Sequence, residues 1–350
     1  MQRLYREHIG SSVATSPCKV CIKVQIFLVR IRLPVKSTAD LAAIFNRQLR
    51  NVSVLALEPG VLDGYVDVIA LSNIRLFRVV LSASVALYAD RCLGKKIFSI
   101  DLSHGISPDF IQAQGVTLAR PALFGFNANL KDLDLVLPAG SQMCAIALQD
   151  DFLTGQMQRL ACDEVMETLD HFNVLSNSFV CTDLTKTITE CWSSNRFVSE
   201  DNLECEIFAS LIQCLLDKNE RKVARISNRQ DRHDAALRIL SMTFSDPKQP
   251  FEIQDLANLL HQSRTSIFSG CKEKFGMSPV QVIRSVRLHQ VRHALTDVEF
   301  SVQNNLNGVV DTAEYFGFVG RSHFARYYKK EFMETPRQTL AARRKSELIF

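Results

Sequence analysis

The spacing of apolar positions changes along the chain, and each change predicts a switch between helix and strand. After Ser37, Thr38 and Asp40, residue types that cap helices, Leu41, Ile44, Phe45 and Leu49 recur at three- and four-residue intervals and predict a short helix. From Val52 the period tightens. VSVLAL, GYVDVIAL, IRLFRVVLSASVALYA, KIFSIDL and CAIAL are rich in β-branched residues, alternate in part, and are separated by the turn signals Glu58-Pro59-Gly60, Leu62-Asp63-Gly64 and Pro138-Ala139-Gly140. They predict an antiparallel sheet or barrel.

After Asp150 the strands are expected to stop. Phe152, Met157, Leu160 and Val165, then Leu203, Ile207, Leu211 and Leu215, fit amphipathic helices that pack either on the sheet or against a second subunit. The stretch DKNERKVARISNRQDRHD (217–234) is almost wholly polar and marks a boundary. Beyond it Ala236, Leu237, Ile239, Leu240 and Phe244 predict a helix that ends at Asp246-Pro247, because proline disfavours helical geometry in the residue before it. The expected architecture is α+β: a β-rich sensor domain with flanking helices over 1–220, a linker at 221–230, and an all-α domain over 231–345.

Within that last domain, FEIQDLANLLHQSRTSIFSGCKEKF (251–275) divides into two helices and a turn. Leu256, Ala257 and Leu260 form the inner face of the first, and small Ala257 lets the second cross closely. His261-Gln262 is the turn. Ser263 is a good N-cap, and Ile267, Cys271 and Phe275 then face inward at four-residue spacing, with Gly276 placed to end the helix. A second copy follows in 309–336, with Ala313 as the small residue, Gly317 in the turn, Phe318, Phe324, Tyr328 and Phe332 inward, and Pro336 closing it. Between them Val280–Leu295 is a continuous helical pattern bearing Arg284, Arg287 and Arg292. The two helix-turn-helix units are expected at 252–275 and 309–332.

Composition adds little: 350 residues, 47% hydrophobic and 22% charged, describe ordinary globular usage and exclude disorder or a coiled coil. Charge distribution adds more. Residues 221–350 hold 21 Lys and Arg against 13 Asp and Glu, whereas residues 1–220 hold 20 against 24. A basic domain joined to a mildly acidic one suits a nucleic-acid binder with a control module.

The ten cysteines lack the density of a disulfide scaffold and read as thiols in a reducing compartment. Cys18 and Cys21 form one C-x-x-C without a second pair or a spaced His pair, so neither a metal nor a cofactor is expected. The N-terminus shows no apolar signal core. The most apolar window, Ile69 to Leu87, is broken by Asn73, Arg75 and Arg78, so no membrane span and a cytoplasmic location are expected. No nucleophile elbow, phosphate-binding glycine loop or H-E-x-x-H occurs, and the protein is not expected to be an enzyme.

The segment AEYFGFVGRSHFARYYKKEFMETP resembles the signature of the AraC/XylS family of transcription regulators, A-x-x-x-G-F-x-x-x-S-x-F-x-x-x-[FY]-[KR]-[KR]-x-F and a following proline. Ala313, Gly317, Phe318, Ser322, Phe324, Tyr328, Lys329, Lys330, Phe332 and Pro336 meet it. LANLLHQSRTSI, FGMSP and RSVRLHQVRHAL match the family's first motif and connecting helix in order, so the resemblance covers about 229–345. Three departures stand out. Cys271 occupies a usual phenylalanine position, Phe268 and Gly270 are atypical in the first reading helix, and Met333 replaces a common glycine. A glycine inside a helix costs about 1 kcal/mol relative to alanine, so the first motif is expected to be the weaker reader.

The resemblance implies that Thr265, Phe268 and Ser269 on one helix, and Arg321, Ser322, Ala325 and Arg326 on the other, face the bases of double-stranded DNA. Arg321 or Arg326 suits a bidentate contact to guanine, and Phe268 or Ala325 a thymine methyl. Arg264, Lys272, Arg284, Arg287, Lys329 and Lys330 suit phosphates, which fix register without reading sequence. It also implies an activator that meets RNA polymerase, pairs as a homodimer, and answers to a small-molecule effector bound by the N-terminal domain. A partner protein in the effector's place is the alternative. An enclosed apolar cavity would favour the small molecule and an exposed apolar patch the partner. The N-terminal half, with Ala119-Arg120-Pro121, is similar to members related to the ethanolamine-operon regulator.

Overall fold

The computed structural model describes residues 30–103, 109–176, 180–192, 199–217, 222–224 and 229–347. Cys18 and Cys21 lie outside the described residues. The described chain starts with β1 (Arg30–Val35), α1 (Thr38–Phe45) and β2 (Leu49–Ala56). It continues through β3 (Gly64–Ala70), β4 (Ile74–Leu81), β5 (Val85–Arg91) and β6 (Lys95–Asp101) to the short β7 (Gln112–Ala113), β8 (Val116–Thr117) and β9 (Ala122–Phe124), then β10 (Asp132–Leu137) and β11 (Gln142–Gln149). Helix α1 starts where the cap residues predict, with the Ser37 hydroxyl accepting from the Asp40 amide at 3.1 Å.

Helices α2 (Asp150–Leu160), α3 (Asp163–His171), α4 (Val180–Cys191) and α5 (Glu200–Leu216) come next. Strands do not stop at Asp150. The three-residue β12 (Val174–Ser176) and β13 (Lys222–Ala224) extend the larger sheet beyond β9, and both are too short to show a period in sequence. The larger sheet runs β1-β3-β4-β11-β6-β9-β12-β13 and the smaller β2-β5-β10-β7-β8, with antiparallel pairing throughout.

The incomplete alternation of the central strands has a physical cause, because both of their faces are buried. On β11, Met143, Ala145 and Ala147 fill the space between the two sheets, while Cys144, Ile146 and Leu148 face α2–α5. On β4 the same split puts Phe77, Val79 and Leu81 between the sheets and Ile74 and Leu76 under the helices. Trp192, at the end of α4, belongs to the helix-side core and lies under Arg78, whose guanidinium is 4.9 Å from the ring centroid.

The smaller sheet is also covered twice. Its outer residues Leu55 and Ala86 join a third core with Ala235, Ala236, Ile239 and Leu240 of α6 (Asp231–Ser245). The remaining helices are α7 (Ile253–Leu259), α8 (Arg264–Phe275), α9 (Pro279–Thr296), α10 (Val298–Gln303), α11 (Val309–Tyr315), α12 (Arg321–Phe332) and α13 (Pro336–Glu347). The architecture is α+β, with the C-terminal helices seated on the outer face of the smaller sheet. No helix among the described residues is long and apolar enough to cross a membrane.

Candidate nucleic-acid interface

The first pair of helices is built by local chemistry. The Ser263 hydroxyl accepts from the Ser266 amide at 3.0 Å and starts α8. In the turn before it, His261 takes the left-handed conformation (φ 50°), and the Gln262 amide donates to the Ala257 carbonyl at 3.0 Å. Leu256, Ala257, Ile267, Cys271 and Phe275 are buried together. Burial pushes the Cys271 thiol up to about 12, so it packs as an inert apolar group.

Gly270 is where it is because of its neighbour. A Cβ there would stand 2.0 Å from the backbone oxygen of Arg232 on α6, so only glycine lets the two helices approach this closely. Ile267, Gly270, Cys271 and Lys274 therefore form the inward stripe of α8. Arg264, Thr265, Phe268 and Lys272 are exposed on the other side and Ser269 is half-buried. Phe268, a large aromatic, is 42% exposed there. Arg264 donates from Nε to Gln254 Oε1 at 2.6 Å, bracing α8 on α7, and Lys272 Nζ reaches the Gly276 carbonyl at 2.8 Å, capping the end of its own helix.

The second pair repeats the plan with a glycine in the turn. Gly317 (φ 77°) bends the chain after α11, and the Phe318 amide donates to the Ala313 carbonyl at 2.9 Å. Ala313, Phe324, Tyr328 and Phe332 are buried and Phe318 half-buried. Their rings run in series, with centroids 5.0 Å apart from Phe318 to Phe324, 5.7 Å from Phe324 to Tyr328, and 4.7 Å from Tyr328 to Phe332. Pro336 is buried at the first position of α13. His323, Ala325, Arg326, Lys329 and Lys330 are exposed on α12. Arg321 and Ser322 open that helix, but their side chains lie outside the described residues.

Helix α9 ties the pairs together. Its N-terminus carries a complete capping box between Ser278 and Gln281, with Pro279 at the first position. Val282, Ile283 and Val286 enter the first core, whereas Leu288, Val291, Ala294 and Leu295 enter the second. Its 18 residues make a rod of about 27 Å.

Arg284 and Arg287, also expected at phosphates, have work within the protein as well. Arg284 is half-buried, with its guanidinium 4.1 Å from the Tyr327 ring centroid. Arg287 is half-buried too. It donates to the Gln249 carbonyl at 2.5 Å and lies against Gly317, and burial lowers its pKa. The geometry thus sets Arg287 at the second turn, away from the exposed cationic row. Periodicity alone hides this role, because Gln249 is 38 residues away in sequence.

Met333 ends α12 in the left-handed conformation (φ 58°) and is 82% exposed. A left-handed non-glycine residue carries a steric cost that glycine escapes, partly offset by glycine's greater unfolded freedom. Met333→Gly is therefore expected to stabilise the second pair by about 0.5–1 kcal/mol, read as a rise in its thermal midpoint.

A family model described as a helix-turn-helix domain matches residues 256–342. The chain is 39% identical over 69 residues to the regulatory protein HrpB of Ralstonia nicotianae, a match covering 20% of this chain and 14% of HrpB. It is 26% identical over 104 residues to the XylDLEGF operon transcriptional activator 2 of Pseudomonas putida, covering 30% of this chain and 64% of that protein. Both matches span less than two thirds of the relative. Among solved structures, ToxT from Vibrio cholerae is 16% identical and superposes with a TM-score of 0.28 over 77% of this chain and 97% of its own.

Proposed function

We propose that the chain is a DNA-binding transcription regulator of the AraC/XylS family, not an enzyme, that reads specific sites in double-stranded DNA and activates the genes beside them. One observation carries this reading. Two helices, each with an exposed polar face and buried apolar back, are joined by one rod whose halves belong to the two cores. Such a pair addresses major grooves that recur about 34 Å apart on one side of the duplex.

In this reading Thr265, Phe268 and Ser269, and Ala325 and Arg326 with Arg321 and Ser322, meet base edges. Arg264, Lys272, Lys329 and Lys330 meet phosphates. RNA polymerase is the partner that activation requires, a homodimer is the working unit, and the cytoplasm is the compartment.

Control enters through the N-terminal sheets. A small-molecule effector must part the apolar residues between them, because the cavity lined by Phe45, Leu49, Phe77, Leu87, Leu135 and Met143 has a volume of about 20 Å³. A partner protein is the second reading. An open groove of about 520 Å³, lined mainly by Leu160, Phe208, Ile212 and Leu216, favours it.

Purified protein mixed with sheared DNA from its own genome, at near-physiological salt, is expected to retain a few sharply enriched sites. Arg326→Ala is expected to lose about 1–3 kcal/mol at those sites while binding other DNA nearly as before. Diffuse retention with the same pattern in the variant would overturn sequence-specific reading.

A further inference from the structure

The inward stripe of α8 ends in a cation. Lys274, 7% exposed, donates from Nζ to Asp134 Oδ2 at 2.7 Å, and Asp134, on β10 of the smaller sheet, is 1% exposed. The polar stretch before α6, expected as a plain linker, joins the same cluster. Arg229 pairs with Asp132, reaches Asp234 Oδ1 at 2.8 Å, and stands 3.8 Å from Asp134 Oδ2. Two cations thus share three carboxylates at the seam between sheet and helices, and Asp134 is the only carboxylate within ion-pair distance of Lys274 among the described residues. The contact falls on the face of α8 opposite Thr265, Phe268 and Lys272, so it leaves the exposed face open.

A second contact grips the far end of α9. His293 Nδ1 is 3.3 Å from Ser37 Oγ and 3.8 Å from Asp40 Oδ1, both at the start of α1. The N-terminal domain therefore touches the first reading helix directly and the connecting rod near the second.

From these contacts we infer that Asp134 is a positioning residue for DNA reading: through Lys274 it fixes the first reading helix to the same rigid body that holds the far end of α9. The inference rests on the proposed reading and deepens it. Two modules presented at a fixed separation bind a two-part site with a high effective concentration, and that advantage is lost when one swings free. Either module alone gains nothing from the splint.

The test uses the full chain and DNA duplexes cut from an enriched genomic site, one carrying both halves and one carrying only the half protected by the first motif. Asp134→Asn and Lys274→Met are each expected to weaken binding to the two-part duplex by about 10–100-fold and to change binding to the single half by less than about twofold. The double variant Asp134→Leu with Lys274→Met, which replaces the ion pair by an apolar pair, is expected to recover most of the two-part affinity. Equal losses on both duplexes in Asp134→Asn, without recovery in the double variant, would show a structural contact only and overturn the inference. Unchanged two-part binding in both single variants would overturn it as well, while specific binding by the wild type leaves the reading itself standing. Wild-type protein that enriches no site defeats that reading and the inference resting on it.

Discussion

Replacing Tyr328 by alanine is expected to cost about 3–5 kcal/mol, the range for emptying a buried aromatic site, and to dissolve α12. Tyr328 is fully buried and lies between the rings of Phe324 and Phe332. Its hydroxyl is 2.9 Å from Thr339 Oγ1 on α13, and that hydroxyl also reaches Glu334 Oε1 at 2.8 Å. Burial pushes the phenol well above its ordinary range, so it stays neutral at any working pH. Tyr328→Phe keeps the ring and removes one hydrogen bond, with an expected cost of about 1 kcal/mol. Chemical unfolding of the full chain checks both values. Because the second core shares no buried residue with the cores around the sheets, the alanine variant is expected to melt this region first while the sheets hold. An alanine variant that unfolds like the parent would show that the ring series does not hold α12.

Gly270→Ala is expected to destabilise by about 2–3 kcal/mol, reversing the sign that a helix interior ordinarily gives. On an exposed helix the same change gains about 1 kcal/mol, because alanine is the better helix former. Here the added carbon meets the Arg232 carbonyl oxygen at 2.0 Å, and a backbone atom cannot swing aside as a side-chain tip does. To relieve the clash α8 must lift from α6. That shift opens the core around Ile267 and Cys271 and draws Lys274 away from Asp134. Thermal unfolding decides the sign. A variant more stable than the parent would mean that α6 and α8 are not held this closely.

The expectation that Gly270 weakens the first motif follows from helix propensity alone, and propensity is a local quantity. In the fold the same glycine lets α8 lie close against α6 at Arg232.

What the sequence by itself determined is whatever depends on neighbours within one or two helical turns. The caps at Ser37, Ser263 and Ser278, the glycine of the second turn, and the stripe from Phe324 through Tyr328 to Phe332 are all local patterns. The larger strands were legible for the same reason, since β-branched runs between turn signals are set by short-range sterics.

Only the tertiary structure decided what distant backbone brings together. Lys274 and Asp134 are 140 residues apart in sequence, and Arg287 meets a carbonyl 38 residues away. The smaller sheet buries its outer face because α6 and α9 cover it, and β12 and β13 pair where β9 offers an edge. Period and propensity report the forces along a segment. Pairings across the fold arise from chain packing, where a lysine on a helix back becomes a buried ion pair once a carboxylate from another sheet reaches it.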